Sequence, residues 1–372
     1  MRRYLTAAGS CLLLFTALIS PAQALTIPTS FKRLAQSPLL AHPGIILIDP
    51  ATQETIFSSA PDALRTPASV LKLLSTSYAT ATLGADTTFH TTISETAEPG
   101  KYVINGELDP WLTASEFEAN KYHRAFLPTL INEVYIKDTN VKKLNIDFYG
   151  LHDADIALIK KYYAGALTLN FHRINSPAVA KAEATTQLSE ITSPPLKDIV
   201  GFTLLWSDNN LADRLARLAA TKDGFTSDAA GIQSGFEKFL GAQGIDTVGL
   251  HVYDGNGLSK ENKVSARTIA QLLLKIRTAP ELAAVYAGLP LAGKTGTLKD
   301  RFIKDAPKGV GLVKAKTGWI NGTVSLAGYV EVGSNQYVFA IIADKIKPTE
   351  PRRQLARETI DKMLATIAKP KA

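Results

Sequence analysis

A proline, a serine two residues on and a lysine three beyond it open the apolar run Thr66-Pro67-Ala68-Ser69-Val70-Leu71-Lys72-Leu73-Leu74. Pro67 suits the first turn of a helix, where its missing N–H costs nothing, and Ser69 and Lys72 then lie within one turn on a shared face. Leu71, Leu74, Tyr78 and Ala81 mark a buried stripe ending near Gly84, so the serine is expected at the rigid start of a largely buried helix. A serine hydroxyl attacks poorly until a neighbour removes its proton, and an amine can remove it once burial or a nearby cation lowers the amine's pKa. Ser69 is the candidate nucleophile and Lys72 the candidate base. Alone, a Ser-x-x-Lys spacing arises by chance about once or twice in a chain this long, so the assignment needs support from elsewhere in the sequence.

Two later clusters add to it. Ser207-Asp208-Asn209 interrupts two apolar helical runs, Asp198 to Trp206 and Leu211 to Ala216. It can cap a helix or offer a hydroxyl and a carboxamide to a cleft. Lys-Thr-Gly occurs twice, at Lys294 and at Lys316, and on an edge strand it supplies a cation, a hydroxyl and a glycine that lets a bound peptide lie close. Only one copy can line a cleft. Lys316-Thr317-Gly318 sits among strand-like runs, Val310 to Ala315, Val324 to Val330 and Tyr337 to Ile342, whereas the first copy has no such context.

The rest of the chain organises around these clusters. Ile45 to Ile48 reads as a strand covered on both faces, with Glu54 to Phe57 returning beside it. Residues 87–189 have a different texture, with short strands near Thr87 to Ser94, Lys101 to Asn105 and Leu144 to Phe148 and one helix from Ser115 to Ile131. Gln187 to Lys197, with Ser193-Pro194-Pro195, reads as a linker out of this insert. Helices are expected near Gly231 to Leu240 and Ala266 to Arg277, flanking a turn-rich Asp254 to Ser259. A final helix, Pro351 to Ile367, carries Leu355, Ile360, Met363, Leu364 and Ile367 towards the sheet.

The N-terminus predicts export. Arg2 and Arg3 precede an apolar run from Leu5 to Ile19 and the small-residue pattern Pro21-Ala22-Gln23-Ala24, a signal peptide ending at Ala24. The run is short of the roughly 20 residues that a spanning helix needs, so no stable membrane anchor is expected. Without Arg2 and Arg3 the 41 basic residues become 39 against 34 acidic, a formal charge of +5. No basic cluster with interleaved aromatics points to nucleic acid. Cys11, the only cysteine, precedes the cut, and the six histidines show no metal-ligand spacing, so neither metal nor other cofactor is expected.

Ser-x-x-Lys, Ser-Asp-Asn and Lys-Thr-Gly in this order resemble the set shared by penicillin-binding proteins and class A β-lactamases. In detail the chain is similar to class C penicillin-binding proteins, the D-alanyl-D-alanine carboxypeptidase and endopeptidase family of penicillin-binding protein 4 type. The similarity rests on Thr66-Pro67-Ala68-Ser69 to Lys72, Gly106-Glu107-Leu108-Asp109-Pro110, Ser193-Pro194-Pro195-Leu196 before Ser207-Asp208-Asn209, and Asp254 to Ser259. It continues through Leu289 to Gly293, Gly296-Thr297-Leu298, and Ala315-Lys316-Thr317-Gly318 before Leu326-Ala327-Gly328-Tyr329. Within the resemblance Lys316, not Lys294, belongs to the active-site strand. It implies an α+β penicillin-binding fold with an antiparallel sheet flanked by helices: a discontinuous catalytic domain, 25–86 plus 190–372, and an inserted α+β lobe, 87–189. Ser69 and Ser207 lie 138 residues apart, too close for the long two-domain insert of the type members.

The resemblance further implies a periplasmic or extracellular serine hydrolase that cuts peptidoglycan stem peptides and is acylated by β-lactams. In that scheme Ser69 attacks, Lys72 takes its proton, Ser207 relays a proton to the leaving amine and Asn209 orients Lys72 and the substrate. Lys316 lowers the pKa of Lys72 by proximity, Thr317 and Gly318 bind substrate, and the Ser69 and Trp319 N–H groups hold the oxyanion. Trp319 stands where a Ser or Thr hydroxyl is usual, which removes a hydroxyl from carboxylate recognition. A β-lactamase or esterase on the same fold, and a catalytically silent wall-binding protein, remain the alternatives.

Overall fold

Ile45-Ile46-Leu47-Ile48 offers no polar face, and all four residues are buried between two helical layers. The computed structural model describes residues 27–137, 140–333 and 335–368; the expected signal peptide, 1–24, lies outside them. The chain enters through α1 (Thr29–Ala35), β1 (Gly44–Ile48), β2 (Thr55–Ser59) and α2 (Lys72–Leu83). Next come β3 (His90–Thr96), β4 (Lys101–Gly106), α3 (Glu116–Tyr122), α4 (Pro128–Lys137), β5 (Lys143–Tyr149), α5 (Asp153–Tyr162), β6 (Thr168–Arg173), α6 (Pro177–Glu183) and β7 (Ala184–Thr192). Then come α7 (Leu196–Trp206), α8 (Asn209–Lys222), α9 (Ala229–Ala242), α10 (Ala266–Thr278) and α11 (Ala283–Ala287). The chain closes with β8 (Val313–Ile320), β9 (Thr323–Val332), β10 (Asn335–Ala343) and α12 (Glu350–Ala365).

The first sheet runs β2-β1-β10-β9-β8 and is antiparallel throughout, with β8 on its edge. Its two-residue period divides the core. Ile46, Ile48, Tyr329, Val338 and Ala340 face the helical layer that includes α2, α7, α8 and α10. Ile45, Leu47, Leu326, Phe339 and Ile341 face α1 and α12. The second sheet, β6-β5-β4-β3-β7, is mixed: β4, β5 and β6 are parallel, and β3 is antiparallel to β4 and β7. It packs on α4 and α5 through Ile93, Ile131, Ile146 and Ile159.

A pronged contact joins the two sheets' surroundings. Trp111 meets Phe202 of α7 edge-on at 5.1 Å. Arg214 of α8 donates to Asp155 Oδ2 at 2.8 Å and to the Leu112 carbonyl at 2.7 Å. Arg124 donates to the Trp111 and Pro110 carbonyls at 3.1 and 2.9 Å.

Several local expectations differ from the fold. The single helix expected over Ser115 to Ile131 is two helices, because His123 turns left-handed (φ 54°) and Pro128 starts a new one. The expected linker from Gln187 is strand β7 as far as Thr192, held by β3; its half-exposed residues lack the apolar run that would reveal a strand. Elements α5, β6 and α6 were not anticipated. Ala81 is exposed, and α2 is enclosed on every side from Lys72 to Thr80 rather than along one stripe. Leu355 is exposed on α12, while Ile360, Met363, Leu364 and Ile367 are buried as expected.

Candidate active site

Ser69 belongs to a 3₁₀ turn, Ala68–Leu71, that runs directly into α2. Ala68 is left-handed (φ 51°), a conformation that costs a β-carbon residue energy and persists only where its surroundings impose it. Two glycines do so by close approach. A Cβ on Gly257, itself at φ 83°, would stand 2.0 Å from the Ala68 carbonyl oxygen. One on Gly318 would stand 2.0 Å from Ser325 Oγ and 2.8 Å from the Pro67 carbonyl oxygen, which accepts a 2.6 Å bond from that Ser325 hydroxyl. The glycine of Lys-Thr-Gly is thus what lets the edge strand press against the serine turn.

Lys72, at the start of α2, is fully buried. Its Nζ lies 2.8 Å from Ser69 Oγ, 2.8 Å from Asn209 Oδ1 and 2.6 Å from the Asn256 carbonyl oxygen. Burial pushes its pKa down to about 7, against the attraction of Asp208, Asp254 and Asp213. A neutral amine has two N–H donors and one lone pair, which matches two oxygen acceptors and one hydroxyl.

Ser207 and Asn209 come from the α7–α8 junction. Ser207 is left-handed (φ 60°) at the end of α7, and Asp208 caps α8 by accepting from the Leu211 N–H at 2.8 Å. Capping and cleft chemistry therefore divide one tripeptide: Asp208 caps, while its neighbours reach the two amines. Lys316 on β8 is fully buried and donates to Ser207 Oγ at 2.8 Å and to the Thr317 carbonyl at 2.9 Å. Lys294 is exposed in a turn. Desolvation is the main cause of the Lys72 shift; Lys316 is depressed first by its own burial and then by nearness to Lys72, a repulsion that disfavours charge on both amines.

These groups open on a cleft of ≈ 310 Å³. Ser69, Ser207, Asn209, Thr317, Gly318 and Trp319 line it, as do Leu258, Thr297, Arg301, Val324 and Arg357. Sequence reasoning assigned no role to Thr297, which pairs with the Thr317 hydroxyl at 2.9 Å, or to the Asn256 carbonyl. The Gly-Asn-Gly turn was the available signal for the latter. It also missed Arg301 and Arg357, for which the sequence carries no local signal, because the folded chain alone brings α12 beside Trp319.

The D-Ala-D-Ala carboxypeptidase 3 (S13) family matches residues 30–148 and 170–367. The chain belongs to this family. As an S13 peptidase it is a serine peptidase, and its similarities agree with that. It is 27% identical over 399 residues to the carboxypeptidase DacB of Mycolicibacterium smegmatis, covering 92% of this chain and 85% of that one. The crystal structure of penicillin-binding protein 4 (dacB) from Haemophilus influenzae superposes with a TM-score of 0.71 at 16% identity, covering 90% of this chain and 98% of the other. A predatory peptidoglycan endopeptidase from Bdellovibrio bacteriovorus gives a TM-score of 0.60 at 17% identity, covering 88% and 94%. At those identities the two structures speak for the S13 member's fold alone.

Proposed function

We propose that this S13 enzyme cleaves D-Ala-D-Ala and related D-centre peptide bonds of peptidoglycan stem peptides through an acyl-enzyme on Ser69, and that β-lactams acylate the same oxygen. The observation that carries this reading is a buried amine, Lys72, 2.8 Å from a serine oxygen with its pKa brought down to about 7. Lys72 takes the Ser69 proton as Ser69 attacks the carbonyl carbon. Negative charge develops on the carbonyl oxygen, where the Ser69 and Trp319 N–H groups receive it.

The edge position of β8 supports that role for Trp319. The Val313 carbonyl and the Ala315 N–H turn away from β9 to bond residues 292 and 290, and by the two-residue period the Thr317 and Trp319 N–H groups face the same way. Ser207 passes a proton to the leaving nitrogen and is resupplied from the lysine pair; Asn209 orients Lys72; Thr317 and Gly318 seat the substrate. Water then hydrolyses the ester. The catalytic domain in this reading is 25–86 plus 190–372, interrupted by the 87–189 lobe, and the protein is exported with cleavage after Ala24.

Fluorescent penicillin tests the acyl-enzyme: the purified protein becomes covalently labelled and Ser69→Ala does not. An unlabelled wild type, or a labelled Ser69→Ala, overturns the assignment. Mass spectrometry of muropeptides incubated with the enzyme separates loss of terminal D-Ala from cutting of cross-links.

A further inference from the structure

Trp319 lines the cleft, and three arginines gather near it. Arg353 and Arg357 of α12 place their guanidinium carbons 4.8 and 5.1 Å from the Trp319 ring centroid. Arg301 lines the cleft with Arg357. Their charges are not equally engaged.

Arg301 is bonded through Nε and Nη2 to the Asp361 carboxylate, with both side chains buried. Arg353 is paired with Glu350 at 2.8 Å. Arg357 donates to the neutral Gln354 carboxamide, and among the described residues no carboxylate pairs with it directly. Burial and the neighbouring Arg301 work against its charge, while Asp361, Glu358 and Glu350 act for it through space without pairing with it. A half-buried guanidinium without a directly paired carboxylate, lining the same cleft as Ser69 and Gly318 and 5.1 Å from the Trp319 ring centroid, is a fork left for an anion.

We propose that Arg357, set beside the Trp319 ring, recognises the substrate carboxylate on the carbon beside the leaving nitrogen. This rests on the reading of Ser69 as nucleophile. Arg357 is then a specificity-determining residue contributed by the last helix of the chain, and Thr317 shares the carboxylate with it. A terminal D-residue and a D-centre cross-link both carry such a carboxylate; an ester or amide cap removes its charge.

The experiment compares kcat/KM of the full chain on a D-Ala-D-Ala-terminated peptide with a free carboxylate and on the same peptide carrying a C-terminal amide. Arg357→Gln lowers kcat/KM about tenfold or more on the free acid and leaves the amide within about twofold, since a charge-assisted pair is lost on one substrate only. Arg357→Lys, which keeps the charge but not the fork, recovers part of the loss on the acid and serves if the Gln variant fails to fold. Equal losses on both substrates, or an unchanged acid-to-amide ratio in the folded variants, overturn the proposal. Penicillin labelling keeps the two readings apart. A wild type not labelled at Ser69 removes the nucleophile itself, whereas a labelled wild type with an unmoved ratio in the variants sinks only the role of Arg357.

Discussion

The cleft and the contact between the surroundings of the two sheets each hold two cations, and the two pairs are used in opposite ways. At that contact Arg214 meets the buried Asp155 carboxylate and Arg124 meets Glu118, both at 2.8 Å. In the cleft, Lys72 and Lys316 touch two hydroxyls, a carboxamide oxygen and two carbonyl oxygens, but no carboxylate directly. A buried cation given an anion keeps its proton and holds shape; a buried amine given only neutral acceptors loses its proton and becomes a base. Guanidinium at one place and amine at the other is not an interchangeable choice, because an arginine does not deprotonate in a protein.

The largest test of this contrast is Lys72→Arg, which puts a permanent cation where a base is needed. Acylation by penicillin is expected to fall about a thousandfold or more, read as the rate of covalent labelling; a mild loss breaks the comparison. Next is Arg214→Met, which leaves Asp155 buried without its partner. Denaturant unfolding should report a loss of about 3 kcal/mol, with Ser69 still labelled in the protein that remains folded.

A pH profile sharpens the cleft side. Lys72 is protonated below its pKa of about 7, so kcat/KM should rise with pH through a midpoint near 7, whereas a midpoint near that of an ordinary lysine would remove the base. The smallest effect is at Asp109, beside the contact made by Arg124 and Arg214, where burial raises the carboxyl to about 6. A raised folded pKa gives stability that is full below the unfolded value and lost as pH rises through 6. Asp109→Asn should therefore gain about 1–2 kcal/mol over the wild type in unfolding experiments above pH 6 and nothing at pH 4.

How much of this was readable from the sequence divides along the same line. The serine, both lysines, Ser207 and Asn209, which the structure brings together, were legible as candidates because each sits in a short motif whose chemistry is local. Lys316 was separable from Lys294 because strand patterning surrounds only the second copy. Which of burial and a nearby cation dominates the Lys72 shift was not legible, since enclosure from Lys72 to Thr80 on every side of α2 is a tertiary fact that an apolar stripe does not convey. Strand β7 escaped notice because its residues are partly exposed and polar, and pairing with β3, about 100 residues earlier, defines it. Arg357 was out of reach for a related reason: on α12 it reads as one more charged residue on a solvated face, and only the packing of that helix against the sheet turns it towards Trp319.

The register that pairs Gly44 with Ile342 has a consequence for the chain while it is being made. Ser69 and Lys72 emerge early, but β1 gains the neighbour that completes the sheet only when residues near 340 exist, and the serine turn meets Gly318 only after β8 has been synthesised. An unfinished polypeptide thus carries Ser69 and Lys72 without the edge strand that presses against the serine turn. Hydrolytic competence arrives late and all at once, and a chain truncated before its final strands is expected to be inert towards its substrate from the outset.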